Sequence, residues 1–499
     1  MLAPAPPALY ARRRPEQSTL YKVVQDNLAT LYEAVDDGAL PIRLPDFVRK
    51  ELEGFLDCGL LCRGFAHVQC SDCSEKRLVA FGCGGRGFCP SCLGRKMASR
   101  TLNLTECVLP PAPLRQWVLT FPFAWRSRLG FDTALFGTLT RIFVQTVLAF
   151  YTERTTKKNG PRGKSGAAVA LQRTSADLRL NPHLHVLFLD GVYREEGEDV
   201  VFDALARLST RDVGDVLERA VRRIERFLER RGLLRDDDNH PTGDDAEPAP
   251  APTLAQGHAA LLASAASGTS PPAGPEFRRK PTPLGPLPSK ALHFDKPLCA
   301  SLDHFTLHAA TRAGALDARA REALLKYVLR PPIAQERVTP GPDGLVRLAH
   351  KRPFADAAVA VDLDPLSLLS RLAASVPAKG THTVRYAGVL ASASKLRSRV
   401  VPVPPATLPA DGERSKPKKT GCRYRTWAEL LAALGIDALE CPTCAGRMRV
   451  LRLVRDANDI RNNLAAMGEP TEPPARAPAR GPPYWASRAL RIRADADAA

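Results

Sequence analysis

Apolar positions recur along the chain at two different periods. Leu20, Val23, Val24, Leu28, Leu31 and Val35 fall three and four residues apart, the spacing of one helix face, so residues 18–36 are predicted to form an amphipathic helix. From Gln116 the pattern tightens into the short runs WVLTF, AAVAL and HVLFL, which read as buried strands. Residues 131–151, between the first two runs, read as a helix. Over 211–231, Val213, Val216, Leu217, Ala220, Val221, Ile224, Phe227 and Leu228 share a face, with Arg219, Arg222, Arg223 and Arg226 largely opposite. That is an amphipathic helix with a basic side. A further helix over 317–329 must stop before Pro331 and Pro332, which cannot continue one. Helices and strands in this mixture predict an α+β protein.

Periodicity lapses in three places. Residues 236–290 are rich in Asp, Pro, Ala, Gly and Ser and read as a flexible insert. Pro- and Lys-containing sequence from 402 to 419 reads as a linker, and the Pro/Arg/Ala sequence of 468–499 as a disordered tail. The expected domains are therefore 1–110, 111–400 with its insert, 401–467, and the tail. A chain of 499 residues is long enough for several cores.

Seven cysteines lie between 58 and 92, where short apolar runs cannot build much of a core. Cys70-x2-Cys73 and Cys89-x2-Cys92, 15 residues apart, have the spacing of a four-thiolate structural zinc site, each pair forming a tight knuckle. Cys58, Cys62 and Cys83 stand close enough to complete or extend that site, with His67 a weaker candidate. Gly82-x-Gly84-x-x-Gly87 formally matches a dinucleotide fingerprint, but it lies among cysteines with no βαβ context, so its glycines are read as turns of a metal-bound loop. Cys441-x2-Cys444 is half of a zinc ribbon. Two thiolates do not close a zinc site, and Cys422 is the nearest further cysteine.

The chain carries 71 Lys and Arg against 53 Asp and Glu, a net charge of +18, which favours a polyanionic partner. Arg86, Arg95 and Lys96, with Arg77 and Arg100, surround the cysteines and could face a phosphate backbone. No signal-peptide order and no run of about 20 apolar residues is seen, so a cytoplasmic protein is expected, with cysteines reduced and available to metal.

The sharpest feature is Asn181-Pro182-His183-Leu184-His185, which leads into VLFLDG. In a strand, residues i and i+2 share a face. His183 and His185 would therefore stand side by side, able to hold a divalent cation, while Leu184 points into the core. Among nine tyrosines, Tyr327 stands out as a candidate nucleophile because it lies on the helix 317–329 beside Lys326 and Arg330, directly before the prolines. A core tyrosine of an amphipathic helix is the competing reading, and periodicity does not decide between them. Trp117, Phe121, Phe123 and Trp125 could stack on bases, but their alternation fits core strands as well, and core is the reading preferred here.

These stretches, with RQWVLTFP at 115–122, LQRTSADLRLNPHLHVLFLDGV at 171–192, FTLHA at 305–309, KYVLRPPIA at 326–334 and RYAGVLA at 385–391, resemble the rolling-circle insertion-sequence transposases. The likeness runs in order from about 20 to 465, skipping the insert. It implies an N-terminal zinc-binding domain, an HUH-type antiparallel sheet with flanking helices (HUH denoting His, a bulky apolar residue, His) and a small C-terminal Cys-pair unit. It further implies Mg or Mn on His183 and His185, with Gln172 chosen as third ligand, and Tyr327 as nucleophile. Lys326 and Arg330 join the DNA-binding set. Some members carry two tyrosines one helical turn apart. Here Ala323 stands four before Tyr327, so the chain is similar to the single-tyrosine branch.

The implied activity nicks and rejoins single-stranded DNA at the ends of a mobile element through a 5′-phosphotyrosine. The partners are those ends and target DNA, with nucleoid association when bound and a homo-oligomer left open. The competing reading is a zinc-containing DNA-binding protein or regulator without catalysis. A zinc deaminase would need His-x-Glu beside its cysteines, and His67 is followed by Val68 and Gln69.

Overall fold

The computed structural model describes residues 8–40, 42–155, 162–234, 254–267, 291–350, 359–402, 425–432, 436–481 and 490–492. After a short strand β1 (Ala8–Leu9), Ser18 accepts a hydrogen bond from the Tyr21 amide and starts α1 (Thr19–Asp36), as an N-cap serine does. Leu20, Val24, Leu28, Leu31 and Val35 of α1 are buried, the face the periodicity predicts. Then come α2 (Asp46–Asp57), the hairpin β2 (Phe65–Cys70) and β3 (Lys76–Ala80), and α3 (Pro90–Cys107).

The central part of the chain runs β4 (Leu114–Thr120), α4 (Arg126–Phe131), α5 (Thr133–Thr155), β5 (Gly166–Thr174), β6 (Leu180–Leu189), the hairpin β7 (Gly191–Glu196) and β8 (Asp199–Ala204), then α6 (Thr210–Arg230) and α7 (Leu254–Ser267). It continues with β9 (Cys299–Leu302), β10 (Phe305–His308), β11 (Arg312–Ala313) and α8 (Ala318–Leu329). A small sheet is built from β12 (Val338–Pro340), β13 (Val346–Ala349) and β14 (Ala360–Leu363), followed by α9 (Pro365–Ser375), β15 (Val384–Gly388) and α10 (Arg397–Val400). The last elements are α11 (Trp427–Ala432), β16 (Ile436–Asp437), β17 (Met448–Val454), α12 (Ala457–Ala466) and β18 (Leu490–Ile492).

The main sheet has the order β15-β5-β6-β4-β10-β9, with β11 also on β4, and every pairing is antiparallel. The fold is thus α+β, as expected. Side-chain alternation divides its faces. Trp117, Leu119, Phe121, Leu184, Val186 and Phe188 pack with α5 and α6 in one core. Leu114, Ala168, Ala170, Leu187 and Leu189 face the other way, toward Leu104 of α3 and Leu324, Leu325 and Val328 of α8. Buried Asp190 receives both Arg115, at 2.8 Å, and Arg312, at 2.7 Å, which ties β4 and β11 to the end of β6.

Four features differ from the sequence reading. The stretch 236–290, expected as a flexible insert, contains α7, whose Leu261 and Leu262 are buried in the N-terminal core. Its Leu- and Ala-rich run favours helix, a signal lost beside its Pro- and Gly-rich neighbours. The 401–467 unit is not separate: β17 pairs antiparallel with β2, and β1 pairs with β16. Part of the expected disordered tail is ordered. Ala475 O accepts from Gln25, the Arg480 amide donates to Thr30 Oγ1, Arg476 pairs with Glu53 at 2.5 Å, and β18 pairs with β14. These contacts are polar and leave no apolar period to read. Finally, α5 is long and apolar enough to cross a membrane, which the sequence reading did not flag. Its Leu139, Phe143, Val147 and Tyr151 are buried against the sheet.

Candidate functional site

The cysteines do not assemble as their spacing suggested. Cys70, Cys73, Cys89 and Cys92 were expected to share one site, but they are divided between two. Cys58, Cys83, Cys89 and Cys92 form one cluster, and Cys70, Cys73, Cys441 and Cys444 the other. The sulfurs lie 3.5–3.7 Å apart in the first, and Cys70–Cys444 and Cys73–Cys441 are both 3.5 Å in the second. Zn–S bonds of about 2.3 Å directed to tetrahedral corners put sulfurs about 3.8 Å apart, so both clusters have the dimensions of a zinc site.

The division follows from the hairpin. Cys70 and Cys73 lie at the turn between β2 and β3, whereas Cys89 and Cys92 open α3 beside Cys58 at the end of α2. Pairing of β17 with β2 sets Met448 opposite Cys70 and delivers the distant Cys441 and Cys444. Crowding pushes the Cys92 thiol down, through hydrogen bonds from Cys58, Cys83 and Cys89, and pushes Cys83 and Cys89 up. Cys58 and Cys83 thus complete a cluster, while Cys62 and His67 belong to neither. Cys422 lies outside the described residues. Gly84 takes φ +68° in the metal loop, the turn role given to the glycines.

Of the basic residues chosen for DNA, Arg86 and Arg330 line one cavity, and Arg95, Lys96 and Lys326 do not. Lys96 donates to Gly84 O and Gly85 O, at 2.6 and 2.9 Å, and so braces the cysteine loop. Arg95 is exposed. Arg86 reaches across to Thr381 O. Lys326 is paired with Glu322 at 2.6 Å. Of the aromatic residues, Trp117, Phe121 and Trp125 are core, and Phe123 is exposed with Arg126 over its ring.

The histidines and Tyr327, 142 residues apart at the nearest, come together on the α8 side of the main sheet. Ring centroids of His183 and His185 are 4.9 Å apart, and those of His185 and Tyr327 are 5.8 Å apart. Leu184 points to the opposite core. Tyr327 is 46% exposed, and the Arg330 guanidinium lies 4.5 Å from its ring centroid. His183 Nδ1 is 2.6 Å from Asn181 O. A carbonyl only accepts, so Nδ1 carries the proton and Nε2 keeps its lone pair. Burial, with help from Arg330, holds both imidazoles neutral, His185 down to about 2.

Two glutamines complete this face. Gln172 pairs in register with His183 and donates to Val328 O at 2.8 Å, tying β5 to the last turn of α8. Gln116, which the sequence reading missed, is buried with its amide 2.5 Å from His185 Nδ1. Its signal was available: Gln116 is polar within an apolar strand and an even number of residues from the positions opposite the histidines.

The Y2_Tnp transposase family model matches residues 166–397, which span the histidine strand and the tyrosine helix. The IS91-type transposase zinc-binding domain model matches residues 30–121, which carry six of the eight clustered cysteines. No curated protein and no solved structure matches. The two segments do not overlap and follow in the order of the chain. The N-terminal region therefore binds zinc, the protein acts on DNA, and the chain belongs to the IS91-type insertion-sequence transposases.

Proposed function

We propose that this transposase cuts and rejoins single-stranded DNA at the ends of its element by a rolling-circle route, with Tyr327 as nucleophile and a 5′-phosphotyrosine as intermediate. The observation that carries this reading is the convergence of Tyr327 with the His183–His185 pair on one face of the main sheet. The donor set fits a hard divalent cation. His183 offers Nε2, and His185 does too when the Gln116 amide turns its carbonyl to Nδ1, an orientation an amide can take. Mg or Mn held by His183, His185 and Gln172 would polarise a non-bridging phosphate oxygen when bound.

The remaining work falls to the chain itself. Arg330 packs on the Tyr327 ring, fixes its direction and offers donors to the phosphate oxygens. Gln172 holds the tyrosine's helix to the sheet. The Tyr327 oxygen attacks phosphorus in line, the 3′ oxygen leaves as a hydroxyl, and the P–O–Tyr bond replaces the one broken. Reverse attack by a 3′-OH restores a phosphodiester and releases the tyrosine, so strands are rejoined without ATP.

The test is incubation of the zinc-loaded protein with labelled single strands from the DNA flanking its gene, with Mg or Mn. Adducts are scored by denaturing electrophoresis beside Tyr327→Phe and His183→Ala. A metal-dependent adduct lost in both variants supports the reading. Tight, salt-sensitive binding without adduct supports the non-catalytic regulator instead.

A further inference from the structure

Beside the His–Tyr face lies a cavity of about 510 Å³, within the roughly 300–1,000 Å³ of small-ligand sites. Three regions build most of its walls, with Arg13, Ser375, Pro377, Thr383 and Val384 closing the rest. The first is the cysteine loop with the start of α3. The second is the end of β5. The third is the chain from Val328 to Arg337 that leaves the tyrosine helix. A Cβ at Gly87 would meet Val376 Cα at 3.0 Å, so the cysteine loop is closed tightly onto the exit of α9 and the wall has little freedom.

The lining is cationic. Arg13, Arg86, Arg100, Arg173, Arg330 and Arg337 face it against one carboxylate, Glu336. None of the six makes an ion pair among the described residues. Arg13 donates to Cys58 O and, at 3.5 Å, to Cys58 Sγ of the buried cysteine cluster, whereas Arg86, Arg173 and Arg337 donate to backbone carbonyls, which orient a guanidinium without neutralising it. The Nε of Arg173 is buried with no partner. Burial with no acidic neighbour also draws its pKa down to about 10. Guanidinium groups held in a concavity without counter-charge are arranged for an anion supplied from outside.

Arg330 belongs to both places: it lines the cavity and packs on the Tyr327 ring. Gln172 likewise lines the cavity while bonding Val328 O. A strand whose scissile phosphate lies at Tyr327 therefore has the cavity as its next station.

We propose that this cavity is a nucleotide subsite that takes the phosphate and sugar of a residue flanking the scissile bond. It rests on the strand-transfer reading above. It also gives the zinc-bearing region a part in holding the strand, because Arg86 and Arg100 come from that region.

The experiment uses the full-length, zinc-loaded protein and a labelled single-stranded end oligonucleotide in which each phosphate in turn is replaced by a neutral methylphosphonate. Affinity is read by anisotropy for wild type, Arg100→Gln and Arg173→Gln. The Arg100 side chain makes no hydrogen bond or ion pair among the described residues, so its replacement spares the fold. The expected result is one or two phosphates whose neutralisation weakens wild-type binding on the order of tenfold but the variants less than about twofold, with a salt slope lower by about one in the variants.

Equal penalties in wild type and variants at every position would overturn the subsite. Inorganic phosphate or dAMP bound by wild type, lost in Arg100→Gln and not displaced by the oligonucleotide would also overturn it, assigning the cavity to a free anion. Binding is read without cleavage. An absent adduct with intact coupling therefore strikes the strand-transfer reading and leaves the cavity in place, whereas an adduct without coupling does the reverse.

Discussion

The cysteine clusters and the histidine–tyrosine face stand at opposite ends of what residues do for a fold. Cys58, Cys89 and Cys92 are buried among Leu52, Phe55 and Phe88 in the largest apolar cluster, so the metal site and the core are one structure. Tyr327 projects from α8 with nearly half its surface exposed, and its phenol makes no hydrogen bond among the described residues. The first region specifies shape, whereas Tyr327 in the second adds little to stability. The two cysteine clusters differ in the same way on a smaller scale, since Cys73 and Cys444 are exposed.

The comparison can be broken most severely at the buried cluster. Cys89→Ser is expected to abolish the cooperative thermal transition, because structural zinc sites contribute about 10–16 kcal/mol in zinc-finger peptides and this one lies inside the core. Circular dichroism melts with zinc analysis would check it. Survival of a wild-type melting curve would refute the link between site and core. Cys441→Ser comes next. It should lower zinc content from two to one per chain and expose the 425–467 segment to limited proteolysis, with the main sheet still folded.

A milder effect is expected at His258 of α7. This imidazole lies between Phe47 and Phe131, and burial first, then Arg173, holds its pKa down to about 4. The unfolded chain takes up a proton near pH 6.5 that the folded one refuses. The stability His258 contributes is therefore full above pH 6.5 and lost as pH falls toward 4. Against wild type, His258→Leu should remove on the order of 1 kcal/mol of the loss between pH 7 and 5 in urea melts. The smallest effect on stability belongs to Tyr327→Phe, within about 0.5 kcal/mol of wild type, although the proposed chemistry is removed entirely.

Local pattern was the most legible part of this chain. The α1 and α6 helices follow from the 3.6-residue recurrence of their buried faces, α8 from the proline stop that ends it, and the three central strands from short, dense apolar runs rather than from alternation. Local pairing was legible only in part. The Cys-x2-Cys spacing fixes a knuckle but carries no information about which knuckle faces it, so Cys70 and Cys73 were joined to near neighbours when their partners lie about 370 residues on. Pairing of β17 with β2 settles that choice, and strand pairing over such a distance leaves no periodic trace. The His-x-His and the tyrosine were legible because their residue types are distinctive. Gln116 was not, since one polar residue in a strand has many explanations until its partner is visible. The arginine cavity was unreadable for a similar reason: its six residues come from four separate stretches of sequence.

The measurement that bears most directly on the central claim is peptide mass spectrometry of the covalent DNA adduct formed with Mn. The account predicts a nucleotide mass on the peptide that contains Tyr327, absent from Tyr327→Phe and from reactions without metal. The same mass on another tyrosine, Tyr386 on β15 being the next candidate, or an adduct undiminished in Tyr327→Phe, would contradict it.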